Sequence, residues 1–171
     1  MKRIGFWVSA ALLVAGFYAA VPCALGQTKD EKQIRALEDR YVTAVKARDL
    51  DGIMKAYAPG AELVVFDVIP PRQYNGFDAY KKDWGEDFTA YPGPGWQFEL
   101  SDLSITTDGK LGYGHSIQHF VGTTKEGTKV DLTLRVTDCY RKIGGKWLIA
   151  HEHVSVPVDL ETGKPDMTSK P

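Results

Sequence analysis

The sequence predicts an α+β fold in which three N-terminal helices pack on a strongly curved, mostly antiparallel sheet. Two observations support this prediction. Up to about residue 88, apolar residues recur at spacings of three and four, which is the period of a helix. From Trp96 onward the period changes to two, in long runs separated by short glycine-containing turns. Helices followed by a series of antiparallel strands are typical of α+β domains, in which the helices cover one face of the sheet.

The three helices are placed by their apolar stripes and by the signals at their ends. The first is predicted for residues 30–48, and a second, short helix follows Asp49, whose carboxylate suits an N-cap. A third is predicted for residues 78–88, with Tyr80 and Trp84 on its apolar side. The apolar stripe of the first helix consists of Ile34, Leu37, Tyr41 and Val45.

Five strands are predicted, one before the third helix and four after it. The first, residues 62–68, is rich in Val and Phe and ends before Pro70-Pro71, because proline has no amide hydrogen for a ladder. Glycines at the intervening turns supply the positive φ that tight hairpins need. Between a curved sheet and helices laid across it, a ligand pocket is expected. The four later strands are predicted at residues 96–106, 110–123, 129–142 and 146–158.

The two ends of the chain differ in character from the central part. Residues 1–26 have the pattern of a signal peptide, with Lys2 and Arg3, an uncharged apolar run and small residues at 24–26. Residues 27–160 have the size of one domain, and residues 161–171 form a polar tail. The prediction is a secreted or periplasmic protein without stable membrane insertion after cleavage. A retained membrane anchor is the alternative, since the apolar run is nearly long enough to span a bilayer.

Composition narrows the set of partners. The chain has 21 Lys and Arg against 22 Asp and Glu, a balance that argues against a nucleic-acid partner. Beyond residue 26, Cys139 is the only cysteine, so a disulfide within the domain is not expected.

Three segments, taken together in their order and spacing, resemble the SnoaL-like families of the NTF2-like superfamily. That superfamily includes polyketide cyclases, ketosteroid isomerases and the association domain of calmodulin-dependent kinases. The resemblance implies a cone-shaped α+β domain with a small-molecule pocket. It also implies a homodimer formed through the outer face of the sheet. The segments are residues 40–41 with 48–58, residues 65–80, and residues 135–155.

The same resemblance implies two catalytic residues. Tyr41 matches the tyrosine of the isomerase oxyanion hole, and Asp67 matches the aspartate that moves the proton. Burial in an apolar strand should also raise the pKa of Asp67, which suits proton transfer near neutral pH. Alternatively, Asp67 caps the Pro-Pro turn and Tyr41 serves only packing. The second acid of the oxyanion hole has no clear counterpart, because Val136 or Thr137 occupies its position and Asp138 follows.

Three further residues are expected to bind substrate. His115 resembles, by position, an arginine that lines the pocket of kinase association domains. Arg135 carries a guanidinium suited to a carboxylate or enolate, although a structural ion pair with Asp138 or Glu152 is an equal alternative. Trp84 is expected in the core or the cavity wall.

The orientation of the last strand decides the roles of its polar residues. Placed on the isomerase fold, this strand directs Glu152 toward the cavity and directs His151 and His153 outward, although a β-bulge would reverse the assignment. Glu152 and His151 are both retained as candidate substrate-binding residues. The two histidines are spaced to chelate a metal, but no third ligand is evident, and neither a metal nor another cofactor is predicted.

The sequence therefore leads to two hypotheses. The first is cofactor-free acid–base chemistry, namely isomerisation, cyclisation or hydration of a small apolar carbonyl compound. The second is a non-catalytic ligand-binding or oligomerisation module of the same fold, since one fold supports many functions.

The signal-peptide hypothesis makes a direct prediction. Cleavage after Gly26 should give an exported protein that begins at Gln27. N-terminal sequencing of the exported protein checks this. Recovery of the intact chain in the membrane fraction would instead support the anchor.

Overall fold

The predicted α+β fold is confirmed in a computed structural model, which describes residues 27–169. The predicted signal peptide lies outside the described residues. The helices are α1 (Lys29–Ala47), α2 (Leu50–Met54) and α3 (Phe77–Ala90), and a single 3-10 turn covers Gly60–Glu62. The strands are β1 (Val64–Phe66), β2 (Tyr74–Asn75), β3 (Gln97–Thr107), β4 (Leu111–Thr123), β5 (Lys129–Ile143) and β6 (Lys146–Ser155).

The six strands form one sheet in the order β2-β1-β6-β5-β4-β3. All neighbouring strands are antiparallel except β1 and β6, which are parallel. Strand β1 has three residues and is shorter than predicted, because its Val-rich sequence continues into the loop that precedes Pro70. Strand β2 was not predicted, since two residues are too few to show a period.

Two irregularities in register bend the long strands. One lies between Ser101 and Ser104, in the β3–β4 pair, and the other between Cys139 and Tyr140, in the β5–β6 pair. A bulge adds a residue to one strand and increases the local bend. In β6 the extra residue is Ala150, so residues 147 and 149 face inward before the bulge and residues 152 and 154 face inward after it.

Local side-chain contacts fix the helix starts, and the predicted N-cap at Asp49 is among them. A capping box begins α1: the Thr28 hydroxyl accepts from the Glu31 amide, and the Glu31 carboxylate accepts from the Thr28 amide. The Asp49 carboxylate accepts from the Gly52 amide at 2.9 Å and caps α2. The apolar stripe of α1 is buried against the sheet. Within residues 27–169, no helix is long and apolar enough to cross a membrane.

Arg48 joins the end of α1 to the end of α3. Its backbone has φ of 56° and closes α1 in the left-handed region. Its guanidinium donates to the Tyr91 carbonyl at 2.7 Å and to the Phe88 carbonyl at 2.5 Å. The same group lies over the rings of Phe88 and Trp96, at 5.1 and 4.7 Å from their centroids. Arg48 therefore fixes the carbonyl end of α3, which forms part of the cavity wall described below.

Substitution of Arg48 tests this joint. We expect Arg48→Ala to lower the free energy of unfolding by about 2–4 kcal/mol, because hydrogen bonds from a charged donor and the ring contacts are lost together. Arg48→Lys should lose less, since an ammonium keeps the charge but cannot reach both carbonyls in the same way. Urea denaturation measures both variants. Equal, negligible losses would show that Arg48 does not hold the two helices together.

Candidate functional site

A cavity of about 120 Å³ lies between the helices and the inner face of the sheet. Aromatic and aliphatic side chains form most of its wall, and the loop after β1 and the second half of α3 form its partly exposed rim. The lining residues with polar groups are Tyr41, Asp67, Tyr80, Trp84, Asp87, Tyr91, Trp96, Gln118 and Glu152.

Asp67 follows β1 directly and lines this cavity. Its Oδ1 accepts from the Val68 amide at 2.5 Å, so the residue also holds the turn that follows. Burial disfavours the charged carboxylate and raises the pKa of Asp67 to about 6, against hydrogen bonds from backbone amides, which lower it. Asp67 therefore caps the turn and lines the cavity, so the two alternatives raised by the sequence hold together.

Glu152, on β6, lies at the bottom of the cavity and is only 2% exposed. Its Oε2 accepts from the Tyr57 hydroxyl at 2.8 Å, and its Oε1 accepts from the Tyr80 hydroxyl at 2.6 Å. Burial raises the pKa of Glu152 to about 7, although these tyrosine hydrogen bonds act in the opposite direction. The nearby Asp67 carboxyl group adds to the increase in the pKa of Glu152.

Asp138 lies directly opposite Glu152 in the β5–β6 pair and is 3% exposed. Burial of two neighbouring carboxyl groups in this way disfavours ionisation of both at once. Burial and the neighbouring Glu152 and Glu38 raise the pKa of Asp138 well above its ordinary range. The sequence left the second acid without a clear counterpart, and the structure places Asp138, the next residue along, in the interior. Asp138 faces inward because even-numbered residues of β5 do so.

A third buried carboxyl group belongs to the same polar cluster. Glu38, on α1, accepts from the Tyr140 hydroxyl at 2.9 Å. Burial raises the pKa of Glu38 to about 7, and Glu152 contributes to the increase. Three carboxyl groups from three different elements are thus held together in the interior, with tyrosines as their main hydrogen-bond donors. We refer to Glu38, Asp138 and Glu152 with Tyr57, Tyr80 and Tyr140 as the carboxyl–tyrosine cluster.

Tyr41 lines the cavity and is 3% exposed. Its ring makes edge contacts with Tyr57, Trp84 and Phe98, at centroid distances of 6.1, 6.3 and 5.9 Å. Burial raises the pKa of Tyr41 well above its ordinary value, so the hydroxyl remains a proton donor at all physiological pH values. Tyr41, Asp67, Trp84 and Glu152, which were all site candidates from the sequence, therefore meet at one cavity.

Three other sequence candidates lie elsewhere, and the expectation that they line the cavity is corrected. His115 and Arg135 occupy odd-numbered positions of β4 and β5, which face outward, and both are exposed. His151 also faces outward: its Nδ1 contacts the Val64 carbonyl oxygen at 2.8 Å, and its ring lies against Phe66. The bulge at Ala150 does not bring His151 inward, because it exchanges the inward and outward positions only for the residues that precede it in β6. Arg135 is thus on the opposite face from Asp138 and Glu152.

Several cavity residues were missed by the sequence reasoning. Tyr80 was recognised only as an apolar residue. Asp87 on α3 and Tyr91 just after it were not recognised, although the helical spacing of 80, 84, 87 and 91 places them on the same side as Trp84. Burial raises the pKa of Asp87 to about 7. Gln118 follows from the even-numbered inner face of β4, a signal that was available in the sequence. Among residues 27–169, no group of three or more His, Cys, Asp and Glu is arranged to hold a metal ion.

The buried carboxyl groups predict a specific pH dependence of stability. Glu38 and Glu152 have pKa values near 7 in the folded protein, against an ordinary value of 4.5, so the folded state binds more protons than the unfolded chain between these limits. The contribution of these two groups to the stability of the fold is therefore greatest below about pH 4.5, and it is lost as pH rises through 7. We expect the free energy of unfolding to be a few kcal/mol lower at about pH 8 than at about pH 5, since one pKa unit corresponds to about 1.4 kcal/mol.

Urea denaturation across this range measures the effect. Glu152→Gln and Glu38→Gln should each flatten the profile, whereas Asp39→Asn, on the exposed side of α1, should leave its slope unchanged. The carboxylates with lowered pKa values, such as Asp30 and Asp51, titrate below this window. A stability that rises steadily from pH 5 to 8 would contradict the account.

Comparison with known proteins agrees with this architecture. The family model of the SnoaL-like domain matches residues 34–159. No curated protein sequence matches the chain. Among solved structures, an NTF2-like protein of unknown function from Pseudomonas putida is 35% identical, with a TM-score of 0.75 over 85% of this chain and 99% of that chain.

Two more distant structures share the fold. A ketosteroid isomerase-like protein from Erwinia carotovora is 19% identical, with a TM-score of 0.64 over 75% of this chain and 97% of that one. A candidate scytalone dehydratase from Novosphingobium aromaticivorans is 17% identical, with a TM-score of 0.65 over 75% of this chain and 85% of that one. The family match covers most of the chain. The chain belongs to the SnoaL-like domain family.

Proposed function

We propose that the cavity binds a small, uncharged carbonyl compound and moves a proton on it without a cofactor. The observation that carries this proposal is the position of Asp67: a carboxyl group that lines a largely apolar cavity with a pKa of about 6. General acid–base catalysis is most effective when the pKa of the catalytic group lies near the working pH. The coincidence of cavity, carboxyl group and raised pKa is typical of such sites.

The other cavity residues have complementary roles in this proposal. Asp67 takes a proton from the carbon next to the carbonyl group and returns it elsewhere on the substrate. Tyr41 is a neutral donor in a site with little water, where a hydrogen bond to a developing oxyanion stabilises the transition state more than it would in bulk solvent. The hydrogen bond from the Val68 amide holds the Asp67 carboxyl group in place.

The size of the cavity limits the substrate. A cavity of about 150 Å³ holds one benzene ring. The cavity of this protein, at about 120 Å³, is similar to or smaller than that. The proposed substrate class is therefore one-ring or short-chain carbonyl compounds. Isomerisation and dehydration are the reaction classes to test, because the names of two structural neighbours contain them.

A non-catalytic ligand-binding module is the second candidate, and a specific observation favours it. Both oxygens of Glu152 already accept hydrogen bonds from tyrosines, so this carboxyl group is not free for a substrate. If the protein is such a module, the interior carboxyl groups organise the core, and Asp67 stabilises the turn that it caps. Turnover measurements distinguish the two candidates.

Export and dimerisation form part of the same proposal. The signal-like composition of residues 1–26 supports a secreted or periplasmic location. On the outer face of the sheet, Leu111 and Tyr113 are 54% and 51% exposed, and such apolar groups support a homodimer through that face.

Replacement of Asp67 tests the catalytic proposal. Asp67→Asn keeps the size of the side chain and an oxygen for the Val68 amide but removes the base. We expect it to lower the rate of proton transfer by about 100- to 10,000-fold. The rate is measured by proton NMR as solvent-deuterium exchange at the α-carbon of cyclohexanone, a one-ring ketone.

The pH profile and a control variant sharpen this test. The wild-type rate should rise as pH increases through about 6, because Asp67 must lose its proton before it can act as a base. Asp39→Asn, on the exposed side of α1, should behave like wild type. If saturating cyclohexanone exchanges no faster than it does in buffer, the non-catalytic module becomes the better conclusion for this class of compound.

A further inference from the structure

Two buried N–H donors in the cavity wall have no acceptor among residues 27–169. They are Nε2 of Gln118, on β4, and the indole Nε1 of Trp84, on α3. Both atoms are inaccessible to solvent, and both residues line the same cavity. A buried donor without a partner costs about 1–3 kcal/mol, so each such group calls for an explanation.

The indole of Trp84 differs from the other tryptophans that the structure describes. Trp96 donates to the Val45 carbonyl at 3.0 Å, and Trp147 donates to the Asp30 carboxylate at 2.9 Å. Buried indole N–H groups usually find such a partner. Trp84 instead packs against the rings of Tyr41 and Phe88, which offer no strong acceptor along their edges.

The surroundings of Gln118 also lack a partner for its amide nitrogen. Its cross-strand neighbours on the inner face are Leu100 on β3 and Leu134 on β5, and both are apolar. Gln118 is 5% exposed. A glutamine in this setting is costly unless its amide nitrogen serves something inside the cavity.

The charges of the cavity wall restrict what these donors can bind. Within the described part of the chain, the lining includes three carboxyl groups, of Asp67, Asp87 and Glu152, and no Lys, Arg or His. An anionic ligand would therefore meet like charges without a counter-ion. An uncharged acceptor oxygen, such as that of a carbonyl group, meets these donors at no such cost.

We propose that Trp84 Nε1 and Gln118 Nε2 bind the uncharged acceptor oxygen of the ligand and thereby select neutral carbonyl compounds over carboxylates of the same size. This inference rests on the cavity of the proposed function and adds its specificity. Tyr41 supplies a third neutral donor to the same space, so the wall is rich in donors and lacks cations. Neither Trp84 nor Gln118 moves a proton, and both position the ligand.

Four one-ring probes of similar size test the inference. Benzaldehyde carries an acceptor oxygen, toluene carries none, benzoate is an anion and benzylamine is a cation. Titrations followed by ¹H–¹⁵N NMR report affinity and, at the Trp84 indole and Gln118 amide resonances, hydrogen bonding directly. We expect benzaldehyde to bind about 3- to 10-fold more tightly than toluene, with both resonances shifted downfield. Benzoate should bind at least about tenfold more weakly than benzaldehyde at pH 8.

Two variants connect the selectivity to the named residues. Trp84→Phe keeps a ring and removes the N–H, and Gln118→Met keeps the shape of the side chain and removes the amide. Each should lower the ratio of benzaldehyde to toluene affinity by about 3- to 10-fold. His119→Gln, on the outer face of the same strand, is the matched control and should leave the ratio unchanged. The Tm of Gln118→Met should stay the same or rise, because an unpartnered amide is removed.

Several results would overturn the inference. These are an unchanged affinity ratio in both variants, a lowered Tm in Gln118→Met that shows a structural role, or stronger binding of benzoate or benzylamine than of benzaldehyde. The test is independent of catalysis, because benzaldehyde has no hydrogen on the carbon next to its carbonyl group and so offers Asp67 no proton to move. If exchange of cyclohexanone fails while the ratio holds, the catalytic proposal falls and the binding inference stands. If cyclohexanone exchange is catalysed but the variants leave the affinity ratio unchanged, the catalytic proposal stands and this inference falls.

Discussion

The structure depends on one buried interaction, in which the Glu152 carboxyl group accepts hydrogen bonds from two tyrosines. Tyr57 reaches it from the segment after α2, and Tyr80 reaches it from α3, so β6 is joined to both at one point. A carboxylate in the interior is expensive unless it is hydrogen-bonded or protonated. The tyrosines supply the hydrogen bonds, and the adjacent Asp138 shares the requirement for a proton. Removing this contact would leave either a buried charge or two buried hydroxyl groups without partners.

The cavity owes its chemical character to the same interaction. Tyr80 donates to Glu152 and lines the cavity together with Asp67. Asp67 lies at the partly exposed rim of the cavity and caps the turn that follows it. Burial rather than a neighbouring charge is the main cause of the raised pKa of Asp67. The aromatic wall therefore has two effects: it keeps water from Asp67, and it leaves neutral donors as the groups that meet a ligand. A site of this kind favours proton transfer on uncharged molecules.

Sequence reasoning recovered the fold well, because periodicity and end signals are local properties. The N-cap at Asp49, the glycine turns and the four long strands all follow from residues close in the chain. The cavity was recovered in part, through Tyr41, Asp67, Trp84 and Glu152. Its remaining residues depend on which face each strand presents. The outward positions of His115 and Arg135, and the inward position of Asp138, follow from the register of β4 with β5, which no single segment reveals. The bulge at Ala150 likewise depends on pairing between strands.

The central claim is that burial in this cavity keeps the Asp67 carboxyl group partly protonated near neutral pH. Carboxyl ¹³C NMR across a pH titration measures it directly, with the Asp67 resonance assigned by its absence in Asp67→Asn. The account predicts a midpoint of about 6 for this resonance. A midpoint at the ordinary aspartate value of 3.8 would show that Asp67 is exposed to solvent, and it would contradict the account.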